Sequence, residues 1–289
     1  MQLSIAVGAL TFYPLDTTLA IARDAGVDRV EVLLSRRTLS DGGQAVAARA
    51  NRAGLSIATV HAILALRRES LDQKIASDVA SIRAAAAIDS CRSIVLHTPL
   101  SETGQAAPVQ RWLDAIVEAR EDARPDLDLA LENRAENWDG TPAQWLDDLG
   151  RLSAVAGEWG ARVCLDLAHA ASFDIELAGA IVTAAPNLVN VHLSDVRPRR
   201  FRGGLLNGLF RDHALPGDGV LAIDAALETL AYVGYTGPLT LELSPVSLRA
   251  WLPGAPRRRL RAAVSNLREL IEVLPARSSA PLPRPHRAV

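Results

Sequence analysis

LVNVHLSDV, residues 188–196, begins as an apolar run of β-strand length and ends on an imidazole, His192, and a carboxylate, Asp195. One such ending carries little weight, because a single histidine among apolar residues is more often a satisfied core group than a ligand. The same ending recurs along the chain, and its spacing decides the fold. Short runs rich in Val, Ile and Leu begin near Leu3, Arg29, Leu55, Ser93, Asp128, Arg162, Leu188 and Pro238. Between them lie Ala- and Leu-rich stretches with helical spacing, at about 16–25, 41–53, 71–87, 105–122, 142–156, 175–185, 223–233 and 256–273. Asp16, Ser70, Thr141 and Asp174 are placed to cap helix N-termini, and Gly26, Gly54 and Gly234 suit the left-handed position that follows a helix.

Strict alternation of strand and helix implies parallel strands, and near-continuous apolar strands imply a sheet covered by helices. Eight such units predict an α/β fold, a single (β/α)8 TIM barrel over residues 1–274. The competitor is an open doubly wound sheet, which usually carries a Gly-rich first turn that VGALTFYPLD (7–16) lacks. The Pro-, Arg- and Ser-rich segment 275–289 reads as a disordered tail, and His286 within it is set aside.

Composition narrows the function classes. The chain of 289 residues is 49% hydrophobic and 22% charged, as expected of a soluble globule, with a formal net charge of −2. That charge supplies no long-range field for nucleic acid or an anionic membrane, and 4% aromatic content leaves little surface for base stacking. Neither partner is expected. Cys91 and Cys164, the only cysteines, sit in apolar runs, which argues against a disulfide framework. With no signal-like start and no membrane-length apolar run, the expectation is a cytoplasmic protein.

The polar strand ends then form a pattern. ATVHAI supplies His61, IVLHTP supplies His97, LALENR supplies Glu132, VCLDLAH supplies Asp166 and His169, and LTLELSP supplies Glu242. In a (β/α)8 barrel this rim is where active sites are built, so residues scattered in sequence converge in space. Several carboxylates meeting at one mouth raise one another's pKa unless a divalent cation neutralises them. Glu132, Asp166, His192 and Glu242, from four consecutive strands, are an oxygen-rich set with one nitrogen, suited to one Mn²⁺, Mg²⁺ or Co²⁺, or to Zn²⁺ if more histidines join. Mn²⁺ is the first expectation. The bland alternative is a salt-bridge layer plugging the barrel mouth.

LALENR, CLDLAH, VHLSD, HALPGDGVLAID and GYTGPLTLELSP resemble, in order and spacing, motifs of the xylose-isomerase-like TIM barrels, a superfamily of sugar-phosphate isomerases and epimerases that includes endonuclease IV. In epimerase-like members the resemblance implies that the positions of Glu132, Asp166, His192 and Glu242 bind one metal. It implies further that the two glutamates act as acid and base and that His169 contacts substrate. Endonuclease-IV-like members hold three zinc ions, and of their ligands this chain shows His61, His97, Glu132, Asp166, His169, His192, His213 and Glu242. It departs where that pattern has an aspartate two residues before the loop histidine: the position is Arg211, with Asp212 out of register. The resemblance also suggests a homo-oligomer.

The expected activity is isomerisation or epimerisation of a small sugar or polyhydroxy carbonyl compound through an enediolate, with Glu132 and Glu242 moving the proton. A dehydratase or lyase would use the same residues, and a multi-zinc phosphodiesterase or a non-catalytic binding protein are further readings. His61, His97, His169, Arg197 and His213 are the candidate substrate contacts. His61 and His169 serve equally as hydrogen-bond partners that orient a ligand, and His213 as a turn residue before PGDG. The stretch 196–219, with Arg197, Arg199, Arg200, Arg202 and Arg211, reads as a lid that clamps a phosphate or carboxylate, or as a solvated basic loop. Glu31 reads as an interior residue paired with an arginine, Asp195 as an acceptor beside the site, and Phe12, Tyr13 and Trp138 as pocket walls or rim packing.

Overall fold

A computed structural model describes residues 1–10, 13–64, 69–102 and 105–274. Among these, eight strands pair in parallel, each with the next, and the first pairs with the last to close a barrel. They are β1 (Gln2–Ala6), β2 (Arg29–Leu33), β3 (Ser56–His61), β4 (Ser93–His97), β5 (Asp128–Glu132), β6 (Arg162–Asp166), β7 (Leu188–Leu193) and β8 (Pro238–Leu241). Every strand begins within one residue of its expected position. The (β/α)8 barrel is thus the observed fold. Phe12, His286 and the segment 275–289 lie outside the described residues. No helix among the described residues is long and apolar enough to cross a membrane.

Strand residues alternate between two environments. Ile94, Leu96, Leu129, Leu131, Val163 and Leu165 join the main core with helix residues such as Trp112, Leu113 and Ile116. The intervening Val95, Ala130 and Cys164 form a separate small cluster inside the barrel. Polar pairs stand beside it: Thr59 Oγ1 lies 3.2 Å from Ser93 Oγ, and Thr240 Oγ1 donates to Asn190 Oδ1 at 3.0 Å. Ladder register aligns the polar strand ends at one rim, pairing Leu33 with His61, His97 with Glu132, and Asp166 with His192.

The helices differ from expectation where local capping overrides periodicity. The stretch 41–53 is helical over Gly43–Arg52 as expected, and an additional helix, Arg36–Asp41, precedes it, the two broken at Gly42, whose φ of 84° a side chain would strain. The stretch 142–156 is helical only over Leu149–Glu158, because Asp148 rather than Thr141 caps it by accepting from Arg151 N; Gln144 instead bridges to Glu102. Ser70 caps Leu71–Ala86 as expected, in a reciprocal box with Gln73. Asp174, at φ 57°, gives way to Glu176 as the next cap, and Asp16 pairs with Arg49 instead of capping.

Candidate metal centre

β5, β6 and β7 end on Glu132, Asp166 and His192, and β8 ends one residue before Glu242. Each of the four offers a ligand atom, and these atoms all lie within 4.8 Å of one another. His192 Nδ1 is at the middle: 2.7 Å from Glu242 Oε2, 3.2 Å from Glu132 Oε1 and 4.0 Å from Asp166 Oδ2. Glu132, Asp166 and His192 are fully buried. Asp166 Oδ2 is a buried atom with no hydrogen-bond partner among the described residues, and the buried Glu242 Oε2 has only the His192 ring nitrogen beside it. Such orphaned oxygens are costly to bury and call for an occupant. Three carboxylates and one imidazole match the ligand preferences of a hard or borderline divalent cation, so the residues fit one.

The spacing of CLDLAH has a local cause. Asp166 is both the end of β6 and the N-cap of the short helix Leu167–Ser172: its Oδ1 accepts the backbone N–H of His169 at 2.8 Å, which leaves Oδ2 to face the cluster. Asn133, which the sequence reading passed over, extends the ladder beyond the strand end. Its Oδ1 accepts from Asp166 N at 2.7 Å and its Nδ2 donates to Asp166 O at 3.0 Å. The only signal for it was its place directly after Glu132.

The other histidines form two flanking groups. His61 Nε2 and His97 Nε2 stand 3.3 and 2.6 Å from Glu132 Oε2. His169 Nε2 and His213 Nδ1 stand 3.8 and 3.9 Å from Asp166 Oδ2, and His169 Nδ1 lies 2.9 Å from the carbonyl of Asn133. Each trio, His61–His97–Glu132 and Asp166–His169–His213, also has ligand atoms within 4.8 Å of one another. His213 adopts a left-handed backbone, φ 54°, unusual for a non-glycine residue.

Arg197 is not drawn into this cluster. Its Nη1 donates to the carbonyl of Phe210 at 3.1 Å and its Nη2 to Ser247 Oγ at 3.3 Å. Arg199, Arg200 and Arg211 are likewise engaged within the protein. The guanidiniums of Arg211 and Arg200 lie 4.6 and 4.9 Å from the centre of the Trp138 ring, Arg199 lies over Phe201, Arg211 pairs with Asp212 and Arg200 with Asp174. Asp195 fixes the far end of the loop by accepting from the backbone N–H groups of Val196, Gly217, Gly219 and Leu221. Tyr13 donates from its hydroxyl to the carbonyl of Ala250, at the rim. Glu31 contradicts expectation: it has no arginine partner among the described residues, and its Oε2 lies 3.1 Å from His192 Nε2 and accepts from Asn190 Nδ2 at 2.9 Å.

Without a cation, protons on the histidines balance the carboxylates. Burial disfavours a charged His61, but its hydrogen bond to Glu132 and the charges of Glu132, Glu31 and Glu242 prevail, holding it at about 9. Burial likewise opposes charge on His192 and His169, and neighbouring carboxylates raise both. Burial pushes the carboxyl of Asp166 up, with Glu242 and Glu132 adding to it. Against the same burial, His97 and His192 hold Glu132 well below the carboxylate range, and His192 and His213 lower Glu242. His97 itself is lowered by burial.

A sequence model described as the xylose isomerase-like TIM barrel matches residues 19–275. No curated protein sequence matches the chain. Among solved structures, a D-tagatose 3-epimerase-like protein superposes with a TM-score of 0.70 at 17% identity, covering 95% of this chain and 98% of the other. A D-psicose 3-epimerase, solved in the presence of D-fructose, gives 0.70 at 16% identity, covering 94% and 99%. A xylose isomerase domain protein from Alicyclobacillus acidocaldarius subsp. acidocaldarius gives 0.69 at 21% identity, covering 94% and 98%. At these identities the superpositions establish the shared fold.

Proposed function

The chain belongs to the xylose isomerase-like TIM barrel family, and from that premise we propose that it is a divalent-metal-dependent isomerase or epimerase of a small sugar or polyhydroxy carbonyl compound. The observation that carries the reading is the meeting of Glu132 and Glu242, from β5 and the end of β8, around His192 Nδ1, with an unpartnered carboxylate oxygen of Asp166 beside them. The names of the structural neighbours, epimerases of tagatose and psicose type, support it.

In this reading Glu132, Asp166, His192 and Glu242 hold one cation, Mn²⁺ by preference. When bound, that cation polarises a substrate carbonyl and acidifies the adjacent C–H. Glu132 and Glu242 enter from strands separated by β6 and β7, so one takes a proton from one side of the substrate and the other returns one. Return to the same carbon from the opposite face inverts it; return to the neighbouring carbon exchanges aldose and ketose. His61, His97, His169 and His213, which flank the cluster, are the proposed contacts of substrate hydroxyls. Arg197 joins them only by leaving Phe210 and Ser247. Residues 1–274 act as one domain, in a cytoplasmic protein, with a homo-oligomer as the working assembly.

The test is incubation of Mn²⁺-loaded protein in D₂O with ketoses, keto acids and their phosphates. Deuterium entry at a carbon next to the carbonyl, abolished in Glu132→Gln, is the expected result; no exchange across the panel overturns the reading. Water loss without exchange into recovered substrate indicates a dehydratase on the same residues.

The two flanking trios favour one further reading, a multi-zinc phosphodiesterase of endonuclease-IV type. Arg211 stands where that pattern needs an aspartate, and its guanidinium is engaged with Asp212 and Trp138. Metal content separates the two: three tightly held zinc ions per chain favour the phosphodiesterase, one exchangeable Mn²⁺ the isomerase.

A further inference from the structure

We propose that Glu31 is a positioning residue of the metal centre: its buried carboxylate keeps His192 protonated at Nε2, so that the lone pair of Nδ1 is presented to the cation. The inference rests on the metal reading above for the identity of what Nδ1 meets.

Glu31 lies on β2 and His192 on β7, which are separated in the barrel by β1 and β8, so the contact runs across the interior. The β2–β3 ladder slips its register beside Glu31, with Val30 opposite Ile57 and Glu31 opposite Thr59, so that the extra residue, Ala58, is on β3. Glu31 is 1% exposed.

A chain of hydrogen bonds settles who donates. Thr240 Oγ1 donates to Asn190 Oδ1 at 3.0 Å, which orients the Asn190 amide so that its Nδ2 donates to Glu31 Oε2 at 2.9 Å. With its amide reversed, Asn190 would set one oxygen against another. Glu31 Oε2 is therefore an acceptor, and the His192 Nε2 that lies 3.1 Å from it is the donor. Glu31 Oε1 has no hydrogen-bond partner, so among the described residues the carboxylate hydrogen-bonds only with Asn190 and His192. On the other edge of the ring, Nδ1 faces the oxygens of Glu132, Asp166 and Glu242. An imidazole whose outer N–H is bonded to a carboxylate is fixed in tautomer and orientation and is the more basic ligand.

The experiment compares wild type with Glu31→Gln, which keeps an acceptor oxygen but not the charge, and Glu31→Leu, which keeps neither. Nitrogen-15 histidine NMR, assigned with a His192→Gln variant, reads the Nε2 proton, and calorimetric Zn²⁺ titration reads affinity. The expected results are a downfield, slowly exchanging Nε2 proton in wild type, retained but shifted in Glu31→Gln and lost in Glu31→Leu. Zn²⁺ binding is expected to weaken by about 10- to 100-fold in Glu31→Leu and by less in Glu31→Gln. If Glu31→Leu does not fold, the shift and the weaker binding in Glu31→Gln decide. An Nε2 proton absent from wild type, or unchanged in both variants, overturns the proposal, as does equal Zn²⁺ affinity in all three proteins. Failure of wild type to bind Zn²⁺ or Mn²⁺ at all instead overturns the metal reading, while the Nε2 proton still reports whether Glu31 sets the ring.

Discussion

Asp166 divides its two oxygens between two tasks: Oδ1 accepts the backbone N–H of His169 at 2.8 Å, while Oδ2 faces His192 Nδ1 from 4.0 Å without a hydrogen-bond partner. The carboxylate both starts a helix and completes the cluster. Asp166→Asn, which keeps the capping oxygen and removes a buried charge, should leave the melting temperature of metal-free protein unchanged or higher and weaken Mn²⁺ binding by at least about 100-fold. Asp166→Ala should in addition lose about 1 kcal/mol of stability with the cap. Equal melting of the two metal-free variants would show that the cap contributes nothing.

Glu132→Gln and Glu242→Gln should each lower turnover by about 100-fold or more while the protein stays folded. Their deuterium exchange patterns should differ if, as proposed, each glutamate serves one side of the substrate. Turnover and exchange measured in parallel check this, and identical residual exchange in the two variants would contradict the division of labour.

His61 is held at about 9 in the metal-free protein, against an ordinary value of 6.5. A folded value above the unfolded one means that its stabilisation is complete below about 6.5 and is lost as the pH rises through about 9. His169 and His192 shift in the same direction. EDTA-treated protein should therefore melt at a lower temperature at pH 9 than at pH 6. Mn²⁺ affinity should rise over the same interval, because the cation displaces those protons. Melting curves and metal titrations across this window provide the check, and a metal-free melting temperature that climbs with pH contradicts it.

Trp138, with Arg211 and Arg200 against its ring, should hold the loop after β7 to the loop after β5. Each contact is worth about 0.5–2 kcal/mol. Trp138→Ala should speed tryptic cleavage after Arg199, Arg200 and Arg202 several-fold without emptying the metal centre. Unchanged cleavage would mean that the Trp138 contacts do not hold the loop.

The fold was legible because a strand buried on both faces has a composition that helices do not share, and because eight such runs alternate with amphipathic stretches. Helix starts were less legible. Thr141 and Asp148 are both competent caps, and the choice fell to Asp148 because the intervening Gln144 and Trp145 bond to the loop at Glu102 and Ser101. The proposed metal ligands were legible as strand-end residues because parallel register in a closed barrel brings strand ends to one rim whatever the loops do.

What the chain alone determined is periodic: the barrel, the rim, and the residues Glu132, Asp166, His192 and Glu242 that reach it. What only the tertiary structure decided is which polar atoms face each other across the barrel and across loops. Among the described residues Glu31 meets His192 and no arginine, Asn133 extends a ladder, and Arg197, Arg199, Arg200 and Arg211 bind the protein's own carbonyls, carboxylates and rings. The reason is physical: strand periodicity sets the direction of a side chain locally, whereas partners 33 to 161 residues apart are chosen by barrel closure, bulges and the need to satisfy each buried charge.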